Sequence, residues 1–163
     1  MNTDFYNLSI APFAPIIIKI CRAYTNSQED FEDYYQEVCL QIWRSHGTFD
    51  ERSARSTWIY RVSLNTCMTL LKTHKRNRQL FASDVVPPDP AEDSRAFADE
   101  PLNHLYAAIR HLSEVDRAVI LLYLDEKSYL EIAEIIGSNP NNVGVRINRI
   151  KDRLRRLLDE EDN

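Results

Sequence analysis

Apolar residues recur at intervals of three and four along most of the chain, which is the spacing of one face of an α-helix. In the first part of the chain this pattern predicts three helices, at about 15–24, 29–45 and 56–76. Further along, Ser113 and Ser128 stand as N-cap residues ahead of apolar runs and predict more helices. No stretch alternates apolar and polar residues with β-branched enrichment. The expected fold class is therefore all-α.

A segment of different composition divides the apolar-periodic pattern into two blocks. The stretch "FASDVVPPDPAEDSRAFADEP" contains four prolines and six acidic residues, which suits a solvated linker. The sequence thus predicts two small helical domains joined by an acidic, proline-rich linker. The expected bounds are 1–78 for the first domain, 79–101 for the linker and 102–163 for the second domain.

The segment "SYLEIAEIIGSNPNNVGVRINRIKDRLRRLL" contains the helix stop and start signals of a helix-turn-helix. Gly137 suits the left-handed residue that ends a helix, Asn139 can cap the next helix, and Pro140 fits its first turn. The second helix has an apolar stripe of Val143, Ile147, Ile150, Leu154 and Leu157. Its exposed amino-terminal end would present Asn141, Asn142, Gly144, Val145, Arg146 and Arg149, as a recognition helix does in the major groove. The alternative is an ordinary helical hairpin with solvated arginines.

The third predicted helix, "STWIYRVSLNTCMTLLKTHKR", combines an apolar side with an aromatic and cationic side. One side collects Ile59, Ser63, Cys67, Leu70 and Leu71. The opposite side collects Trp58, Arg61, Asn65, Thr69, Lys72 and Arg76. Aromatic faces for stacking and cations for phosphates are the ingredients of single-strand nucleic-acid binding. The alternative is an amphipathic helix with one partly buried tryptophan.

The second predicted helix, "QEDFEDYYQEVCLQIWR", has an unusual polar face. Its core side contains Phe31, Tyr35, Val38 and Ile42. The other side contains Asp33, Gln36, Glu37, Leu40, Trp43 and Arg44. Apolar residues among acids on a surface often dock a protein partner, so this face is a candidate interface. Alternatively, Leu40 and Trp43 pack under a neighbouring segment.

The composition excludes several other classes of function. The net charge is −5, yet the first 80 residues hold ten Lys and Arg against eight Asp and Glu, so the acidity is concentrated elsewhere. The three cysteines are widely spaced and the four histidines are scattered, so we expect no metal, no cofactor and no catalytic residue. The apolar run "PIIIKI" is too short for a membrane span, and a cytoplasmic protein is expected.

Three segments in order resemble the extracytoplasmic-function sigma factors of bacterial RNA polymerase. They are "DFEDYYQEVCLQIW", "STWIYRVSLN" ahead of a basic stretch, and "SYLEIAEIIG" followed by "NNVGVRINRIKDRLRRLL". The resemblance covers nearly the whole chain, from about Phe5 to Leu158. It implies an alternative-type sigma factor that directs promoter-specific initiation.

The resemblance also implies roles for individual residues. The first domain would be a region 2-like domain that docks on core RNA polymerase through Asp33, Gln36, Glu37, Leu40 and Trp43. The same domain would hold the melted −10 element of promoter DNA through loop 46–55 and Trp58, Arg61, Asn65, Lys72 and Arg76. The second domain would be region 4-like and would read the −35 element as duplex through Asn141, Asn142, Val145, Arg146 and Arg149.

The resemblance further implies control by an anti-sigma factor, and no small-molecule substrate or membrane insertion is expected. Two other classes stay open from the sequence. One is a stand-alone helix-turn-helix regulator that binds duplex operators. The other is a protein-interaction adaptor whose purpose is the face around Leu40 and Trp43.

Overall fold

The computed structural model describes residues 3–49, 54–80 and 100–161. All regular structure in these ranges is helical and they contain no strand, which confirms the all-α fold class. The chain divides into two compact units, Met1–Ala96 and Phe97–Asn163. The predicted acidic linker lies almost entirely outside the described residues, as do residues 50–53 of the loop before the third predicted helix.

The first unit contains the three predicted long helices and a series of short turns before them. The helices are α2 (Ala14–Tyr24), α3 (Gln28–Ser45) and α4 (Arg55–Leu80). Before them come α1 (Thr3–Phe5), a π-helical turn (Tyr6–Ile10) and a 3-10 turn (Ala11–Phe13), and a second 3-10 turn (His46–Thr48) follows α3. The sequence pattern predicted α2, α3 and most of α4 but none of the amino-terminal turns.

Local chemistry explains where α3 begins. The Ser27 side chain accepts a hydrogen bond from the backbone N–H of Asp30 at 3.2 Å, and so satisfies one of the amide groups left open at the helix start. Glu29 and Asp30 lie in the first turn, where their negative charges interact favourably with the helix dipole.

The core of the first unit lies where α2, α3 and α4 pack on one another. The predicted core residues Val38, Ile42, Ile59 and Cys67 are buried, whereas Phe31, Tyr35, Leu70 and Leu71 are half-buried. Additional buried side chains are Tyr34, Tyr60 and Leu64, from beside the predicted stripes, and Trp58, from the predicted polar side of α4. The buried face of α4 is broader than one stripe because two helices cover it.

The described part of the second unit contains four helices, of which the first three pack against the last. They are α5 (Glu100–Arg110), α6 (Glu114–Leu124), α7 (Tyr129–Ile136) and α8 (Pro140–Glu161). Along α8 the predicted stripe faces the core, with Leu157 half-buried and its other members buried, namely Val143, Ile147, Ile150 and Leu154. The buried Arg117 guanidinium donates to the carbonyls of Leu112 and Arg110 at 3.0 and 2.6 Å, and so closes the end of α5.

The helix-turn-helix is formed by α7, a tight turn and α8, as predicted. Gly137 has φ +75°, and its N–H and that of Ser138 both donate to the Ala133 carbonyl, at 2.9 and 2.8 Å. Asn139 caps α8 by accepting a hydrogen bond from the Asn142 N–H at 2.9 Å. The N-cap predicted at Ser128 is also present, and it belongs to a capping box in which both bonds between Ser128 and Glu131 are formed.

Candidate functional site

The first candidate surface is the amino-terminal half of α8, which faces away from the core of the second unit. Its polar residues follow directly on the Asn139 cap, so the turn fixes the direction in which they project. All five residues predicted to read duplex DNA are exposed here: Asn141, Asn142, Val145, Arg146 and Arg149. This half of α8 has the exposure and the donor groups that a major-groove reader needs.

Arg146 does not project freely from this surface. Its Nη1 donates to Oδ1 of Asp116 at 2.7 Å, and the Arg146 side chain keeps 45% of its accessible area. Asp116 lies in the first turn of α6, thirty residues earlier in the chain. The sequence pattern did not predict this pair, because the two residues belong to different helices. No local pattern links the two residues.

Several basic residues further along α8 have partners within the second unit. The ammonium of Lys151 lies 4.4 Å from the centre of the Tyr123 ring. Arg153 donates to the His111 carbonyl at 3.1 Å, and Arg155 lies 3.5 Å from Asp152. Contacts of this kind therefore occur in both halves of α8, and Arg149, in the amino-terminal half, is exposed.

The second candidate surface, on α4, differs from its prediction at one important position. Asn65, Lys72 and Arg76 are exposed and Arg61 is half-buried, in keeping with the predicted polar side. Trp58, however, is only 9% exposed, so the prediction of a tryptophan open to solvent is wrong.

The reason for the burial of Trp58 lies in the segment before α4. Phe49 folds back over it, with ring centroids 5.1 Å apart. Arg55 then lies over Phe49 at 4.9 Å and donates to the hydroxyl of the buried Ser9 at 2.7 Å. A helical projection of α4 alone cannot include these contacts, because they come from other segments.

The third candidate surface is the acidic face of α3. Asp33 and Gln36 are exposed, whereas Glu37, Leu40 and Trp43 are half-buried. The Trp43 ring packs edge-on against Phe5 at 5.1 Å and stacks on His46 at 4.9 Å. The amino-terminal segment thus covers part of the Trp43 ring, in keeping with the alternative that this residue packs under a neighbouring segment.

A groove between α3 and α4 joins the second and third surfaces. It consists of two neighbouring cavities of about 300 and 330 Å³, and both are lined by Glu37 and Leu70. The first is further lined by Gln41, Asn65, Thr66 and Thr69, the second by Asp33, Tyr34, Gln36, Leu40 and His74. Residues assigned separately to polymerase and to DNA therefore line two neighbouring cavities that share Glu37 and Leu70.

One wall of this groove is fixed by a polar contact between the two helices. The hydroxyl of Tyr34 lies 3.2 Å from Nδ1 of His74, within hydrogen-bonding distance. Tyr34 is otherwise buried, so this contact satisfies its only polar side-chain atom.

The thiols of the first unit are packing groups. Cys21 and Cys67 are fully buried, with their sulfur atoms 4.0 Å apart. Burial raises the pKa of Cys39 to about 11 and that of its neighbour Tyr35 to about 12. Burial also raises the pKa of Cys67 well above its ordinary value.

Within the described ranges, no group of three or more His, Cys, Asp or Glu side chains could hold a metal ion. Among the same residues, no helix is both long and apolar enough to cross a membrane.

Two family models match the chain in the order of its two units. The model described as Sigma-70 region 2 matches residues 10–77, and the model described as Sigma-70, region 4 matches residues 102–154. Both helical units are thus of the kind found in sigma-70-type transcription factors.

Individual relatives show which group of sigma factors the chain is similar to. The chain is 29% identical to the ECF RNA polymerase sigma factor SigG of Mycobacterium tuberculosis, over 88% of this chain and 46% of SigG. It is 27% identical to SigW of Bacillus subtilis over 87% of this chain and 82% of SigW. It is 28% identical to the sigma-E factor of Haemophilus influenzae over 91% of this chain and 85% of that factor. The chain belongs to the extracytoplasmic-function sigma factors.

The fold has a counterpart among solved structures. The sigma factor RpoE of Bartonella quintana, solved in complex with the anti-sigma factor NepR, matches with a TM-score of 0.75 at 21% identity. The match covers 97% of this chain and 98% of that one. The present chain spans about half the length of SigG, the first relative named above.

Proposed function

We propose that this protein binds core RNA polymerase and directs initiation at specific promoters, with its two units in different roles. The first unit docks on the polymerase and holds the melted −10 element, and the second reads the −35 element as duplex. The observation that carries the proposal is the order of the two family matches, which coincide with two helical units that carry different polar surfaces. Bond formation belongs to the polymerase, so the proposed role needs no catalytic residue here.

Duplex reading is assigned to the exposed half of α8. Arginine and asparagine side chains can form paired hydrogen bonds with guanine and adenine edges in the major groove, and Val145, 51% exposed, can contact a thymine methyl group. The buried stripe on the opposite side of α8 anchors this helix, so that its polar residues are presented by a rigid element.

Capture of the melted −10 strand is assigned to α4 and the loop before it. Asn65, Lys72 and Arg76 are exposed and lie along one side of the helix. Cations can follow the phosphate chain, and the Asn65 amide can hydrogen-bond a base that has left the duplex. Unpairing a base costs a few kcal/mol, so contacts that favour one sequence make melting itself selective.

Within this assignment Phe49, and not Trp58, is the aromatic residue proposed to contact a DNA base. Phe49 is half-buried and forms the outer ring of the pair, whereas Trp58 supports it from beneath. Trp58 and Arg61 remain in the set of candidate −10 residues. The proposed role of Trp58 is to support the Phe49 ring.

Polymerase docking is assigned to α3. Asp33 and Gln36 provide an exposed polar rim, and the half-buried Leu40 and Trp43 provide apolar area within it. This combination of an apolar centre and a polar rim is typical of protein interfaces. The proposed partner surface is that of the clamp helices of core polymerase, and the groove toward α4 would bring docking and strand capture together.

We further propose an anti-sigma factor as a regulatory partner and the bacterial cytoplasm as the site of action. The support is the Bartonella quintana structure, in which a sigma factor of this fold is bound to an anti-sigma factor. Such a partner would compete for the surfaces described above.

The test is reconstitution with core RNA polymerase and candidate promoters, scored by open-complex formation and by transcripts. Transcription that depends on both the protein and core supports the proposal. Sequence-specific operator binding by the free protein, without any effect on core, would identify a stand-alone regulator. Core binding without any promoter opening would identify an adaptor.

Two substitutions on α3 examine the docking surface. Gln36→Ala alters an exposed side chain and should weaken core binding without loss of folding stability. Glu29→Ala, an exposed position in the first turn of the same helix, is the matched control and should bind core normally. Equal core binding by Gln36→Ala and the unsubstituted protein would remove α3 from the proposed interface.

A further inference from the structure

We infer that Asp116 is a positioning residue that sets the base selectivity of Arg146. The inference rests on the proposed reading of duplex DNA by α8. Its basis is the 2.7 Å contact between the Arg146 guanidinium and the Asp116 carboxylate, which joins the first turn of α6 to the exposed side of α8. The carboxylate lies outside the helix-turn-helix segment itself.

The backbone that carries Asp116 is held in place independently of its side chain. Its N–H donates to the Ser113 hydroxyl at 3.2 Å, and Ser113 is the N-cap of α6. The helix packs against α8, whose own start is fixed by Asn139. The carboxylate is therefore attached to a rigid element and is available to orient a long flexible side chain.

The chemistry of the pair leaves Arg146 able to bind DNA. A guanidinium has five N–H donors, and the contact with Asp116 uses one nitrogen at its tip. The side chain remains 45% exposed, so its other donors can still reach a base edge. A charge-assisted hydrogen bond restricts the rotamers of the arginine before DNA arrives, which lowers the entropy lost on binding in that one orientation.

The same carboxylate works against nonspecific binding. An unrestrained arginine can swing to any nearby phosphate, and phosphate contacts carry no sequence information. Asp116 holds the guanidinium away from such positions, and its negative charge repels the DNA backbone. Loss of the carboxylate should thus shift Arg146 from base reading to phosphate binding.

The experiment uses the full chain and first selects its preferred duplex from a pool randomised over a short window. Binding is then measured for that duplex and for versions with single base-pair changes, at fixed salt. Asp116→Asn should reduce discrimination about three- to tenfold at the base pair read by Arg146, with equal or higher affinity for unrelated duplex. The matched control is Glu114→Gln, which removes a charge from the same turn of α6 and should keep the discrimination.

A second series separates positioning from a general structural effect. In an Arg146→Ala background, Asp116→Asn should cause no further loss of discrimination at that base pair. The inference is overturned if Asp116→Asn discriminates like the unsubstituted protein, or if it loses discrimination equally without Arg146. Uniformly weaker binding to every duplex would also overturn it. If the unsubstituted chain selects no duplex at all, with or without core polymerase, the proposed function fails first and the inference falls with it.

Discussion

Trp58 and Phe49 pack against each other, with ring centroids 5.1 Å apart and ring planes inclined by 38°. The contact joins the segment after α3 to the first turn of α4, and Arg55 lies over the Phe49 ring at 4.9 Å. Trp58 consequently belongs to the core of the first unit, and a substitution there acts first on stability.

We expect Trp58→Ala to lower the free energy of unfolding of the first unit by about 3–5 kcal/mol, because it empties a large buried site. Phe49→Ala should cost less, about 1–2 kcal/mol, since that ring is half-buried. Urea denaturation followed by circular dichroism measures both values. Normal stability of Trp58→Ala combined with failure to open promoters would instead mean that the indole is free to stack on a base.

The three thiols should react slowly in the folded protein. Cys21 and Cys67 are fully buried, and the pKa of Cys39 is raised by burial from 9.0 to about 11. At pH 8 a shift of this size lowers the thiolate fraction of Cys39 by about a hundredfold, and the thiolate is the reactive form.

The measurement is the rate of reaction with an aromatic disulfide reagent at pH 8, with and without denaturant. All three thiols should react rapidly only in denaturant. The kinetic phase that is absent in Cys39→Ser belongs to the half-buried thiol of Cys39. Rapid reaction of any thiol in the native protein would show that the packing around it opens readily.

Most of the local structure could be predicted from the sequence because its causes are local. The capping box at Ser128 and Glu131, and the turn through Gly137, each depend on residues within a few positions of one another. Helix bounds were close for the same reason, with 29–45 predicted and Gln28–Ser45 found.

The errors share a different cause, namely contacts between distant segments. Trp43 is partly covered by Phe5, and Trp58 is covered by Phe49. The ion pair of Asp116 and Arg146 is likewise a contact between residues far apart in the chain. Each requires knowledge of which segment folds over which helix, and periodicity within one helix contains no such information.

The capping box should make the second unit sensitive to acid. The pKa of Glu131 is lowered from 4.5, first by the hydrogen bond from the Ser128 backbone and next by that from its side chain. The carboxylate therefore stabilises the fold fully above its unfolded-state pKa. That contribution is lost as the pH falls through the lowered pKa of the folded state.

Glu131→Gln tests this, because glutamine keeps a neutral acceptor at the same position. The stability difference between the unsubstituted protein and this variant should be largest near neutral pH and should shrink below pH 4.5, in urea titrations at several pH values. In Lys127→Gln the pH dependence should persist, since the hydrogen bonds from Ser128 are the larger causes. A difference that is constant with pH would contradict the assignment.

The remaining prediction concerns Gly144, in the exposed half of α8. A Cβ at this position would lie 3.2 Å from Cε2 of Tyr129, closer than an ordinary contact. In an open helix Gly→Ala gains about 1 kcal/mol of stability. Here we expect less than about half of that gain, because the Tyr129 ring must move to make room and this offsets part of the stabilisation. The ring is 38% exposed and is therefore able to shift.

A double-mutant cycle isolates this effect. In a Tyr129→Ala background, Gly144→Ala should recover the full gain of about 1 kcal/mol, measured by urea denaturation. Gly137→Ala is the contrasting control: nothing lies within 4 Å of its Cβ position, yet φ is +75°, so we expect a loss of about 1–2 kcal/mol. If Gly144→Ala stabilises the protein equally in both backgrounds, the Tyr129 ring does not restrict this position. The absence of a side chain at residue 144 would then need another reason, and close approach of the α8 backbone to DNA is the one that the proposed function supplies.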